Sequence, residues 1–149
     1  MAMVASAQVS GHSPLAKSHV YLKTHQVSGR RLHFGLARED VTLRAQAASS
    51  TTGRAGKTLV KQGSMRITQI ALRKGSRLGS HQVTGALSLQ MLRGRMRLTT
   101  SDGELFIGWG ELVALGPGVH HDAEATSDCV VLVTLAMPEA KLGMPKELE

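Results

Sequence analysis

The sequence predicts an all-β domain, a sandwich or barrel of short strands, with an irregular basic extension in front of it. Three observations carry this. After Gly56 the apolar residues recur with period two, as in "MRITQIAL", "LSLQML" and "RMRLTT", the spacing of a half-buried strand. Gly-containing turns separate these runs at short intervals: "RKGSRLGS", Arg93-Gly94, Ser101 to Gly103, and Gly108 to Gly110, as in compact barrels and sandwiches. Hydrophobic residues make up 42% of the 149 positions but aromatics only 3%. The core is therefore built from Val, Leu, Ile, Met and Ala.

The elements follow in order. Residues 1–38 contain no acid and five Lys/Arg, and no period of 2 or 3.6 persists. They read as a disordered basic extension. Its composition resembles an organelle transit peptide, but no charged n-region leads into an apolar stretch, so a secretory signal is not indicated. His12, His19, His25 and His33 read as solvated side chains. Residues 39–56 read as a short helix, "EDVTLRAQAA", with acids at its start, followed by the linker "SSTTGRAG". Residues 57–137 carry the strands "KTLVK", "MRITQIAL", "LSLQML", "RMRLTT", two in "ELFIGWGELVAL", then "VHHDAEAT" and "CVVLVTLA", with "RKGSRLGS" as a connection. Residues 138–149 read as an exposed tail with mixed charge.

The net charge of +7 is divided unevenly. Residues 1–100 hold 16 Lys/Arg and 2 acids, and residues 101–149 hold 2 Lys/Arg and 9 acids. Part of the basic half is the extension, and neither interleaved aromatics nor a helix-turn-helix pattern accompanies it. Specific nucleic-acid binding is therefore not indicated. The apolar run at Cys129 is too short to span a bilayer. Cys129 is the sole cysteine, which excludes an internal disulfide and suits a buried small hydrophobe in a cytoplasmic protein. Open sheet edges in a small sandwich favour a homodimer.

Two spacings carry a family resemblance. Gly75 is followed by five residues and then His81, and the segment closes at Gly94. Gly110 is followed by five residues, Gly116-Pro117-Gly118, Val119-His120 and His121. Over roughly Lys57 to Ala136 the chain resembles the cupins, small jelly-roll barrels (double-stranded β-helices), and in particular compact bacterial single-domain members. The resemblance implies that fold. It also implies a metal such as iron, manganese or zinc, held by histidines and a Glu from the two motifs. Here the register selects His81 and His121 as the remaining ligands. The second histidine position is Val83, the Glu position is Leu87, and a further Asn position is Ala125.

Strand alternation sharpens this. If His121 points inward, so do Val119, Ala123 and Ala125, whereas His120, Asp122, Glu124 and Thr126 point outward. Neither carboxylate then joins His121 without a bulge. The expected interior is lined by Val83, Leu87, Leu89, Met91, Met96, Leu98, Val119 and Ala123. Two imidazoles among aliphatic side chains hold a divalent ion poorly. The expectation is a cupin that binds a small-molecule ligand, or serves a sensory or structural role, without a cofactor. The alternative is a metal-dependent oxygenase or isomerase using His81 and His121, with Gln90 or water completing the shell. No G-x-S-x-G elbow is present, and "GRAGKT" lacks the spacing of a phosphate-binding loop.

Overall fold

The computed structural model describes residues 25–81 and 84–138, with Ser80 and His81 described by backbone alone. Among these residues the chain forms one helix and nine strands, in the order α1 (Leu36–Ser49), β1 (Arg54–Gln62), β2 (Met65–Leu72), β3 (Arg77–His81), β4 (Ala86–Arg93), β5 (Arg95–Thr100), β6 (Gly103–Gly108), β7 (Leu112–Leu115), β8 (His121–Ala125) and β9 (Cys129–Ala136). Two sheets result. The five-stranded sheet has the order β1-β2-β9-β4-β7 and the four-stranded sheet the order β3-β8-β5-β6. All the pairings are antiparallel.

Alternation decides what lies between the sheets. On β4 the buried positions are Leu87, Leu89 and Met91, on β5 Met96 and Leu98, and on β8 His121, Ala123 and Ala125. Of these, Leu89, Met91, Met96, Leu98, Ala123 and Ala125 meet Leu72, Ile107, Cys129 and Val131 in one apolar cluster. Large and small residues interlock across the ladder: Met96 is opposite Ala125 and Leu98 opposite Ala123. A methyl group next to a long side chain fills the space without a void.

The five-stranded sheet is covered on its other face by α1. Its segment "LAREDVTLRAQAAS" is rich in Leu, Ala, Arg, Glu and Gln, which favour helix. The helix starts three residues ahead of Glu39, so the two acids sit within it and serve as anchors. Lys57 Nζ donates to Glu39 at 3.0 Å. Asp40 is buried and accepts from Arg44 one turn on and from Arg93 of β4, the latter at 3.2 Å. Gln69 of β2, fully buried, donates to the Leu36 carbonyl at 3.0 Å. Leu43 and Ala47 complete the contact, packing on Ala71 and Val130.

Three sequence expectations change here. The stretch read as a linker already contains the start of β1 at Arg54. The connection "RKGSRLGS" contains β3, a short edge strand with an irregular register between Arg77 and Gly79. Its pairing is fixed by backbone bonds, including Gly75 N–H to Ala125 O at 2.8 Å, so it left little apolar signal. The extension also differs from a solvated tail from His25 onward. Val27 O accepts from Lys61 N–H at 2.7 Å, and the half-buried His25 donates through Nε2 to Thr58 O at 2.7 Å. The expected readings of residues 1–24 and 139–149 lie outside the described residues. Among the described residues no helix is long and apolar enough to cross a membrane.

Two predictions test this packing. Gly94 turns β4 into β5 at φ +75°, and a Cβ there would lie 2.1 Å from the Asp128 carbonyl oxygen. Gly63 turns β1 into β2 at φ +54° with open space around it. Urea unfolding is expected to show Gly94→Ala destabilised by about 3 kcal/mol or more, and Gly63→Ala by only about 1 kcal/mol. The second test uses Cys129, which is fully buried. Burial, aided by the Asp128 carboxylate, pushes its thiol up to about 12 from an ordinary 9.0. The folded protein therefore holds this proton while the unfolded chain releases it above pH 9, so stability is lost as pH rises from 9 toward 12. At pH 10.5 the loss specific to Cys129 is roughly 2 kcal/mol. Cys129→Ala is expected to flatten that part of the stability–pH curve measured by denaturant titration.

Candidate functional site

The strands leave an opening at one end of the sandwich, where β2, β4 and β8 begin and β9 ends. The antiparallel register stacks the inward side chains of the five-stranded sheet in layers. Arg66, Leu135 and Leu87 form the outermost, Thr68, Val133 and Leu89 the next, and Ile70, Val131 and Met91 the deepest. Facing them from the four-stranded sheet are His121 of β8 and Leu78 of β3. Together they enclose a cavity of about 230 Å³. Its wall is six aliphatic side chains, with Arg66, Thr68 and His121 as the polar groups.

His121 is the buried titratable group of this wall, only 6% exposed. Its Nδ1 lies 3.2 Å from the Val119 carbonyl oxygen. A carbonyl only accepts, so Nδ1 donates in this bond. Val119 itself is half-buried and orients the histidine through its backbone; its side chain is not on the cavity wall.

The expected interior residues separate into groups. Leu87 and Leu89 line the cavity with His121. Met91, Met96, Leu98 and Ala123 lie deeper, in the closed core beneath it. Val83 lies outside the described residues, as does the side chain of His81. The backbone register nonetheless sets His81 directly opposite His121 on β3 and β8. Leu78, Arg66, Thr68, Ile70, Val133 and Leu135 are wall residues that the sequence reading did not find. The alternation Arg66, Thr68, Ile70 was visible in "MRITQIAL". What hid its meaning is that the other face of β2 is also covered, by α1.

The described wall does not fit a metal. It offers one imidazole and no carboxylate or thiolate, and Arg66 places a cation at its mouth. Leu87, at the position of the family's Glu, brings only carbon. Gln90 is exposed on the opposite side of β4. No cluster of three or more His, Cys, Asp and Glu occurs among the described residues, whereas a protein-bound zinc takes three or four such ligands.

Asp122 and Glu124 face outward and form a charged lattice on the outer sheet. Arg77 of β3 binds Asp122, and also Glu124 at 3.1 Å. Arg97 of β5 binds Glu124 as well, and reaches Glu104 of β6 at 3.5 Å. The Asp122 carboxylate raises the Arg77 guanidinium above its ordinary value by hydrogen bonding and by charge, with a smaller contribution from Glu124. These carboxylates clip three strands together and contribute nothing to the cavity. His120 is exposed on the same strand entry.

No family model matches the sequence, and no curated protein matches it. Solved structures do. A conserved protein of unknown function from Streptococcus pyogenes is similar at 24% identity and TM-score 0.57, over 61% of this chain and 80% of that one. A cupin superfamily protein from Desulfitobacterium hafniense is similar at 12% identity and TM-score 0.56, over 57% and 78%. A variant of salicylate 1,2-dioxygenase from Pseudoaminobacter salicylatoxidans is similar at 15% identity and TM-score 0.67, over 89% of this chain and 41% of that one. At these identities the shared property is the architecture: two facing antiparallel sheets open at one end, the cupin fold, which is the fold of this chain.

Proposed function

We propose that the protein binds a small, mainly apolar molecule in the open end of its barrel, without catalysis, in a sensory or structural role. The observation that carries this is the cavity wall: aliphatic side chains from both sheets with a few polar groups, the usual make-up of a small-molecule pocket. A single free, buried thiol at Cys129 suits a cytoplasmic setting.

One observation favours a second reading, a metal-dependent enzyme. The β3–β8 register brings the backbones of His81 and His121 opposite each other, and a dioxygenase shares the fold. Two imidazoles still fall short of the facial triad that a non-haem iron enzyme uses. Elemental analysis of untagged protein separates the readings. The binding role predicts far less than about one metal per chain, together with a rise in Tm on addition of 1-hexanol. That rise is expected to disappear in Val133→Trp, which fills the cavity. About one iron, manganese or zinc per chain, lost in His121→Ala, would establish the enzyme reading instead.

We also propose that the chain forms a homodimer through β6. In its sheet β6 pairs only with β5, so its outer edge offers unpaired backbone groups. Phe106, Trp109 and Leu112 lie exposed around that edge, at 53%, 77% and 57%. Two copies paired edge to edge would cover both features. Light scattering is expected to give the mass of two chains for the native protein and of one for Trp109→Ser. A native mass of one chain contradicts the pairing.

A further inference from the structure

The cavity mouth carries positive charge that has no counter-charge among the described residues. Arg66 stands at the rim, in the outermost layer of the wall. Among the described residues its guanidinium has no ion-pair or hydrogen-bond partner, whereas Arg44, Arg77, Arg93 and Arg97 each hold a carboxylate. Directly opposite Arg66 across the β1–β2 ladder is Lys61, which likewise has no ion-pair partner among the described residues. Directly opposed residues of antiparallel strands share a face, and like charges placed this way repel. This pair of cations borders a wall that is otherwise mainly apolar and contains no carboxylate.

We infer that the occupant of the cavity is an apolar monocarboxylate, its hydrocarbon part among Leu87, Leu89, Val133 and Leu135 and its carboxylate at the mouth on Arg66. The inference rests on the binding role proposed above and names the ligand class for that same cavity. A guanidinium presents a planar fork that matches a carboxylate in two parallel hydrogen bonds. Lys61 adds to the positive potential there, and the ligand's charge relieves the repulsion between the two cations. Thr68, one layer in, supplies a hydroxyl below the headgroup. The cavity volume is about 230 Å³. That suits a short-chain or single-ring acid.

The test compares three probes of one shape on the full chain by calorimetry at low salt: hexanoate, 1-hexanol and hexylamine. Hexanoate is expected to bind about fivefold or more tightly than 1-hexanol, a modest factor because Arg66 is exposed, and hexylamine least tightly. The preference for hexanoate is expected to fade at high salt, and Arg66→Gln is expected to bring hexanoate down to the level of 1-hexanol. Equal binding of hexanoate and 1-hexanol, or a preference that survives Arg66→Gln, overturns the inference and leaves the binding role standing. Failure of all three probes to bind overturns both.

Discussion

The structure depends on the placement of one strand. β9 pairs along its whole length with β2, and along most of it with β4. It is the middle of the five-stranded sheet and is covered on both faces. Cys129, Val131 and Val133 face the interior between the sheets, whereas Val130 packs under the helix against Leu43, Ala47 and Ala71. A one-residue slip would exchange the two sets. Thr134 would then face the interior, and every layer of the cavity wall would change identity. The long apolar run "CVVLVTLA" is what a strand buried on both sides requires.

That two-sided burial divides the labour between the sheets. The five-stranded sheet spends its outer face on the helix, using Asp40 between two arginines and Gln69 on the Leu36 carbonyl. The four-stranded sheet leaves its outer face to water and holds it with the Arg77, Arg97, Asp122, Glu124 and Glu104 lattice. Charges thus sit on both outer surfaces, and the space between the sheets is left to carbon. The exception is the open end, where Arg66 and His121 approach the same cavity from opposite sheets.

Much of this was legible in the chain, and the omissions have physical causes. Period two located most of the strands and correctly separated inward Ala123 and Ala125 from outward Asp122 and Glu124, because β8 has one wet face and one dry face. β3 escaped notice because its pairing rests on backbone bonds around Gly75 and Gly79 and on few apolar side chains. The start of α1 was misplaced because Glu39 and Asp40 resemble helix-initiating acids, yet they act as anchors to Lys57, Arg44 and Arg93. The β2 half of the cavity wall was invisible for a related reason. When both faces of a strand are covered, alternation shows that two faces exist without showing which one meets the cavity.

The same features bear on function. Of the positions through which cupins hold metal, Leu87 brings only carbon and His121 is tied by Nδ1 to its own strand entry, with the His81 backbone opposite it. The described wall around them is aliphatic side chains, Thr68 and Arg66. In the binding role proposed above, such a wall would recognise a molecule by shape, apolar contact and one anionic end. The most direct measurement is methyl-resolved NMR of the protein during titration with hexanoate. The account predicts shifts concentrated on the methyl groups of Ile70, Leu78, Leu87, Leu89, Val133 and Leu135, with Leu43 and Val130 under the helix unmoved. Shifts confined to the helix groove or to the Phe106 and Leu112 surface, with the cavity methyls silent, would contradict it.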